Sequence, residues 1–188
     1  MNKFDIISTR AHRIDTPDKA TGQAVFTDDI SRPGQLYGAM LQSPHAHAKI
    51  LSIDTSKAAA LPGVKSVITH EQAGHIKYGV SPARYDETVF AIDKVRYIGD
   101  EIAAVAAVSL DIALKAVELI QVEYEILPAV FTVEDAMKEG APQLHENSPG
   151  NLCAEVHQEF GDVAAALKEC DIIKTSTMKN KRQDGAFI

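Results

Sequence analysis

"IAAVAAVSLDIALKAVELIQVEYEIL", residues Ile102 to Leu127, is the stretch whose reading decides the fold. Ile102 to Val108 is apolar at every position, the pattern of a strand covered on both faces. Ser109 offers a hydroxyl to an opening helix, and Asp111 lies near that helix's positive end. In "LDIALKAVELIQ" the polar side chains Asp111, Lys115 and Glu118 recur at intervals of four and three. They leave one narrow wet stripe on an otherwise apolar helix, which must therefore pack on a sheet. "QVEYEIL", Gln121 to Leu127, alternates as a strand with one covered face. Strand, helix and strand in this order predict a right-handed βαβ crossover.

Working outward, Leu36 to Leu41 predicts a strand, and Ser43-Pro44 interrupts the ladder because proline cannot donate a hydrogen bond. A second strand is expected over Ala46 to Asp54, a short helix over Thr55 to Leu61 stopped by Pro62-Gly63, and another strand over Val64 to His70. The opening "TPDKATGQAVFTDDISRPGQ" has no sustained period and reads as an extended arm with turns at Pro17-Asp18 and Pro33-Gly34. Beyond Leu127, Thr132 and Asp135 fit a capping box for a short helix through Lys138, after which Gly140, Pro142, Pro149 and Gly150 bracket a linker. The expected boundary lies near residue 150, giving a first domain over 1–150, with 1–20 as its arm, and a second segment over 151–188. In that segment "AEVHQEF" and "CDIIKTSTMK" read as strands and "GDVAAALKE" as a helix.

With 188 residues the chain can fill one core, or one domain and part of another. Its 45% hydrophobic and 24% charged content describes a soluble globular protein, and its longest apolar run is far short of a membrane span. The opening Met1-Asn2-Lys3-Phe4-Asp5 leads into polar sequence without an apolar signal core, so a cytoplasmic location is expected. A net charge of −7 with scattered Lys and Arg argues against nucleic acid as a partner. Two isolated cysteines, Cys153 and Cys170, form neither a disulfide framework nor an iron–sulfur ligand set.

Chemistry-bearing pairs are few. In "SPHAHAKI" His45 and His47 stand two apart, so on a strand both face one side and could share a metal. The same face next presents Lys49, whose ammonium repels a dication, and no third ligand lies nearby. The acidic pairs Asp28-Asp29, Asp100-Glu101, Glu123 with Glu125, and Glu134-Asp135 read as solvated or capping residues, because adjacent strand residues face opposite ways. Cys153 and His157 have the types of a nucleophile and base but no accompanying oxyanion-hole signature. Neither G-x-G-x-x-G nor a P-loop is present. From residue chemistry, then, no catalytic, cofactor-binding or metal residue is assigned.

The longer wording is more specific. "TGQAVFTDDISRPGQLYGAMLQSPHAHAKI", Thr21 to Ile50, resembles the opening of the large, molybdenum-binding subunit of the xanthine dehydrogenase and aldehyde oxidase family. "SIDTSKAAALPGVKSVITHEQ" and "DKVRYIGDEIAAVAAVSLDIALKAVELIQVEYEILPAVFTVEDAM" resemble the family segments that follow, so the likeness covers Arg13 to Glu146. The resemblance implies an α+β fold: an α/β-hammerhead domain with a mixed sheet and a βαβ unit. "HIKYGVSPARYDE", His75 to Glu87, with Gly99-Asp100-Glu101, is most similar to 4-hydroxybenzoyl-CoA reductase large subunits. Relatives carry arginine where His45 stands and keep the histidine at His47, so the pair is no family requirement.

"FGDVAAALKECDIIKTSTMKNKRQDGAFI" resembles the entry into the molybdenum-cofactor-binding domains, so residues 151–188 are expected to be a truncated start of such a domain. The implied complex uses molybdopterin cytosine dinucleotide or a related molybdenum cofactor, 2Fe–2S clusters and FAD, with an iron–sulfur subunit and an FAD subunit as partners. This chain is expected to hold none of those cofactors and to be inactive alone, with a structural, subunit-docking role. Its final strands would present edges for self-association. Two alternatives stay open: a stand-alone binding or assembly module, and a small metalloprotein using His45 and His47.

Overall fold

A computed structural model describes residues 13–79 and 85–180. Residues 1–12 of the arm expected over 1–20, part of the His75 to Glu87 loop, and the last eight residues lie outside them. Tertiary contacts divide the chain into two units between Asn151 and Leu152.

The uniformly apolar run forms β5 (Glu101–Ala107) at the centre of a sheet, between β1 (Tyr37–Gln42) and β3 (Val64–Thr69), both antiparallel to it. Ala103, Val105 and Ala107 are at most 1% exposed, and α4 (Leu110–Leu119) packs against this sheet. Ala113 and Ala116, fully buried, let the helix approach closely. The Ser109 hydroxyl accepts from the Ile112 N–H at 3.4 Å, so the expected cap forms. Beneath α4, α2 (Ser56–Ala60) contributes Ala58 to the same core.

The chain then enters a second sheet. β6 (Gln121–Ile126) pairs antiparallel with β2 (Ala48–Asp54), which also pairs with the two-residue β4 (Lys94–Val95), giving the order β4-β2-β6. The expected right-handed crossover is corrected here: β5 and β6 flank α4 in sequence but belong to different sheets. The physical reason is that β1 and β3 already occupy both edges of β5, while β2 offers Lys49 and Ser52 to the charged face of β6. All pairs among the described strands are antiparallel, so the α+β class holds with two antiparallel sheets in place of one mixed sheet. Leu41, Ile53 and Val122 pack against buried clusters on both sides and join the two layers.

Three shorter readings also change or hold. The expected turn at Pro17-Asp18 is the first turn of α1 (Thr16–Thr21), where proline's fixed φ suits the helix and its missing N–H costs nothing. Pro33-Gly34 is a turn, with Gly34 at φ +78°. Around His70, β3 gives way to α3 (His70–Ala73), because Thr69 accepts from the Glu71 N–H and so caps a helix.

After α5 (Val133–Ala136), capped by Thr132 as expected, residues 137–151 are held to the first unit by side-chain bonds. Among the described residues of the second unit, α6 (Val163–Lys168) forms on an Asp162 cap. The strands expected at "AEVHQEF" and "CDIIKTSTMK" do not form, which also removes the edges on which self-association rested. An isolated strand leaves its backbone groups and apolar face unsatisfied, and here Val156, Phe160 and Ile172 are more than 80% exposed.

Candidate functional site

In "SPHAHAKI" residues 43–47 precede β2, which begins only at Ala48, so strand alternation does not govern the two histidines. Ser43 shapes the corner: its hydroxyl accepts from the His45 N–H at 3.0 Å and donates to the His45 carbonyl at 2.9 Å. Its backbone bonds to the Gly99-Asp100 turn, accepting from the Gly99 N–H at 2.9 Å and donating to the Asp100 carbonyl at 2.8 Å.

His45 then sets its ring edge-on to Tyr124 of β6, with centroids 4.8 Å apart. His47, 4% exposed, has Nδ1 2.7 Å from the Pro128 carbonyl oxygen. Since a carbonyl only accepts, Nδ1 donates this bond, and Nε2 is buried without a hydrogen-bond partner among the described residues. The Leu127 N–H donates to the His47 carbonyl at 2.9 Å, so this residue staples the end of β6 to the start of β2. Lys49 is spent on Glu125, 3.0 Å away across the strands. The shared strand face on which joint metal ligation depended is therefore not formed. Among the described residues no group of three or more His, Cys, Asp or Glu is placed to hold a metal.

Most acidic pairs have the capping or solvated partners expected of them. Asp29 accepts from the Phe26 N–H at 2.9 Å, Asp135 sits in the Thr132 cap, and Glu123 accepts from the Ser52 hydroxyl at 3.1 Å. Cys153 and His157 are exposed, and the His157 ring lies 3.3 Å from the Glu159 carboxylate.

Asp100-Glu101 departs from the strand reading. Asp100 belongs to the turn after Gly99, whose φ of +96° turns the chain, so alternation does not separate the two carboxylates. Both line an open cavity of about 690 Å³ together with Tyr78, Asp86, Glu87 and Tyr97. Asp100 accepts from the Arg96 N–H at 2.9 Å, and burial pushes its carboxyl above the usual range. Tyr97 donates to Glu101 at 3.2 Å, and burial with the neighbouring carboxylates pushes its phenol up to about 12. No sequence signal brings Asp86 and Glu87 to this place, because they arrive on a separate loop. Thr88, Arg96 and His145 also line the cavity, and His145 Nδ1 lies 3.9 Å from the Asp86 carboxylate.

Beside it, Lys94, 9% exposed, meets Glu146 at 2.6 Å, and Arg96 reaches Glu146 at 3.3 Å and the Leu144 carbonyl at 3.0 Å. The Lys94 hydrogen bond is the main reason the Glu146 carboxyl falls to about 2. Asn151, at φ +57°, donates to the Ala136 and Pro142 carbonyls and accepts from the Leu144 N–H, each at 2.9 Å. What reads in sequence as a linker is thus stitched in place by two charged residues of the β4 segment and one asparagine.

Comparison with known proteins agrees with this architecture. The family model described as aldehyde oxidase and xanthine dehydrogenase, a/b hammerhead domain, matches residues 21–128. The nicotinate dehydrogenase large molybdopterin subunit of Eubacterium barkeri is 37% identical over 186 residues, 98% of this chain and 43% of that protein. A probable xanthine dehydrogenase subunit of Bacillus subtilis is 40% identical over 177 residues, covering 94% of this chain and 23% of its own length. Among solved structures, aldehyde oxidoreductase from Desulfovibrio gigas superposes with a TM-score of 0.68 at 34% identity, over 73% of this chain and 16% of that one. The chain therefore spans less than half the length of the two curated relatives described.

Proposed function

Because the chain belongs to the aldehyde oxidase and xanthine dehydrogenase a/b hammerhead family, we propose that it works as part of the large subunit of a molybdenum-containing oxidoreductase. The observation that carries this is the match over 98% of the chain to a large molybdopterin subunit of which it covers 43%. Its own role in this proposal is mechanical. It is a folded layer that docks an iron–sulfur subunit and an FAD subunit and walls the molybdenum-cofactor domains, in the cytoplasm, without turnover by itself. One feature supports a scaffold role: residues of the site are committed to one another, His47 to the Pro128 carbonyl and Tyr97 to Glu101. Among the described residues no helix is long and apolar enough to cross a membrane.

The narrower proposal is a 4-hydroxybenzoyl-CoA reductase-like large subunit, resting on His75 to Glu87 with Gly99-Asp100-Glu101. The test is isolation of the native complex through an affinity tag on this chain, with metal analysis and assays for hydroxylation and reductive dehydroxylation. The expected complex contains molybdenum, iron and flavin and turns over, whereas the chain alone has neither molybdenum nor activity. A tagged chain that is recovered without these partners would overturn the reading and favour a stand-alone binding module.

A further inference from the structure

Residues 137–151 have no anchor in the core. None of them is buried, and none belongs to the hydrophobic clusters that join the sheets and α4. A surface segment of this kind is held by its polar bonds, and it opens as those bonds give way.

The bonds fall into two sets. One closes the segment on itself. Asn151 donates to the Pro142 carbonyl and accepts from the Leu144 N–H, and it also donates to the Ala136 carbonyl at the end of α5, each at 2.9 Å. Gln143 Nε2 donates to the His145 and Glu146 carbonyls at 2.9 and 3.1 Å, and the Ser148 N–H donates to the His145 carbonyl at 3.1 Å. The result is an Ω-shaped loop whose ends meet at Ala136 and Asn151 and whose middle is filled by its own side chains.

The second set ties this loop to the β4 segment. Lys94 Nζ lies 2.6 Å from the Glu146 carboxylate, Arg96 Nη2 3.3 Å from it, and Arg96 Nε donates to the Leu144 carbonyl at 3.0 Å. Both cations stand on fixed backbone: Lys94 pairs with Lys49 of β2, and the Arg96 N–H donates to Asp100 at 2.9 Å. Two further contacts in this region are longer than hydrogen bonds, Asp93 at 3.8 Å from Arg96 and His145 Nδ1 at 3.9 Å from Asp86. Among the described residues no main-chain bond runs from 138–151 to either sheet. The ties to the body are thus side-chain ties centred on one carboxylate, whereas the ties within the loop are many.

We propose that residues 137–151 are a latched lid: a closed loop that swings from β4 as one piece about its neck at Ala136, with the Glu146 carboxylate on Lys94 and Arg96 as the latch. Asn151 is the last residue of the first unit, so the point from which the chain leaves that unit travels with the lid. The latch, the neck and the loop all belong to the first unit, and the device is independent of the large-subunit reading.

The test uses the full chain with Cys153→Ser and Cys170→Ser, spin-labelled at Asn147→Cys on the lid and at Lys57→Cys on the exposed side of α2. Pulsed electron spin resonance reads the distance between the labels, and amide hydrogen exchange by NMR reads the Leu144 N–H, which Asn151 protects. Arg96→Met with Glu146→Gln should raise the ratio of open to closed distances by at least about tenfold, the effect of losing charge-assisted bonds. The Leu144 N–H and the β5 amides should keep their protection in that variant, because the neck and the sheets are untouched. Glu146→Gln alone, which alters no residue of the β4 segment, should give the same change to a smaller extent. Asn151→Ala should instead release the Leu144 N–H. An unchanged distance distribution in the double variant overturns the proposal. Loss of Leu144 protection there also overturns it, by showing that the loop melts instead of swinging, and so does loss of β5 protection in both latch variants, by showing that the loop opens only with the whole fold.

Discussion

Substituting Gly63 by alanine tests the packing of α4 on the turn that ends α2. Gly63 follows Pro62 at the end of α2, has φ +96°, and accepts from the Val108 N–H at 3.0 Å, which ties this turn to the end of β5. A Cβ there would lie 2.7 Å from Ile112 Cδ1 and 3.1 Å from Val108 Cγ2. Gly99 has the same φ of +96° with nothing within 4 Å of its Cβ position, so Gly99→Ala carries the backbone strain without the clash. That strain is about 1–2 kcal/mol for an L-residue at positive φ. Overpacking against Ile112 and Val108 adds about 1–3 kcal/mol, so Gly63→Ala should lose about 2–5 kcal/mol in all. Urea unfolding followed by circular dichroism measures both variants. Shortening Ile112 to valine in the Gly63→Ala background should recover part of the loss, as a coupling of more than about 0.5 kcal/mol. If Gly63→Ala proves no more costly than Gly99→Ala, or Ile112→Val shows no coupling, the packing of α4 on this turn is not as described.

Substitutions at two other residues probe the stitched segment over 137–151. Asn151→Ala removes three hydrogen bonds of about 1 kcal/mol each and places a Cβ-bearing residue at φ +57° without compensation. Asn151→Gly should recover the backbone part alone, and limited proteolysis should cut near Leu144 in both; an uncut Asn151→Ala protein would show that the side chain is dispensable. For Glu146, the folded carboxyl sits at about 2 against an ordinary 4.5, so between those values the unfolded chain binds more protons. The Glu146 contribution is therefore fully present above about 4.5 and is lost as pH falls toward about 2. Glu146→Gln should flatten the acid limb of a stability-against-pH curve in that window, and an unchanged limb would show that Lys94 and Arg96 do not hold this carboxylate in solution.

What could be read in sequence was local. The uniform run Ile102 to Val108, the Ser109 and Thr132 caps, and the alternation in Gln121 to Leu127 all specify elements through contacts within a few residues, and those elements form. The family likeness rested instead on the longer wording of the chain, and the α+β class was what that likeness implied. The exposed strands expected after residue 152 show the limit, since alternation records only a preference for pairing. Which edge a strand joins depends on which edges are already taken. Only the tertiary structure could decide that β6 leaves the sheet of β5, because that follows from β1 and β3 filling both edges of β5.

The site divides the same way. That His47 is the structural histidine was readable only from the family pattern; its bond to Pro128, eighty-one residues away in sequence, was not. Asp100 and Glu101 read as opposed neighbours until a positive-φ glycine set them on one cavity with Asp86 and Glu87. The sequence by itself determined the elements and the family, because these rest on near-neighbour chemistry and on wording along the chain. The tertiary structure alone decided which sheet face packs on α4, because burial is a property of what packs on a surface, and alternation supplies two faces without saying which will be covered.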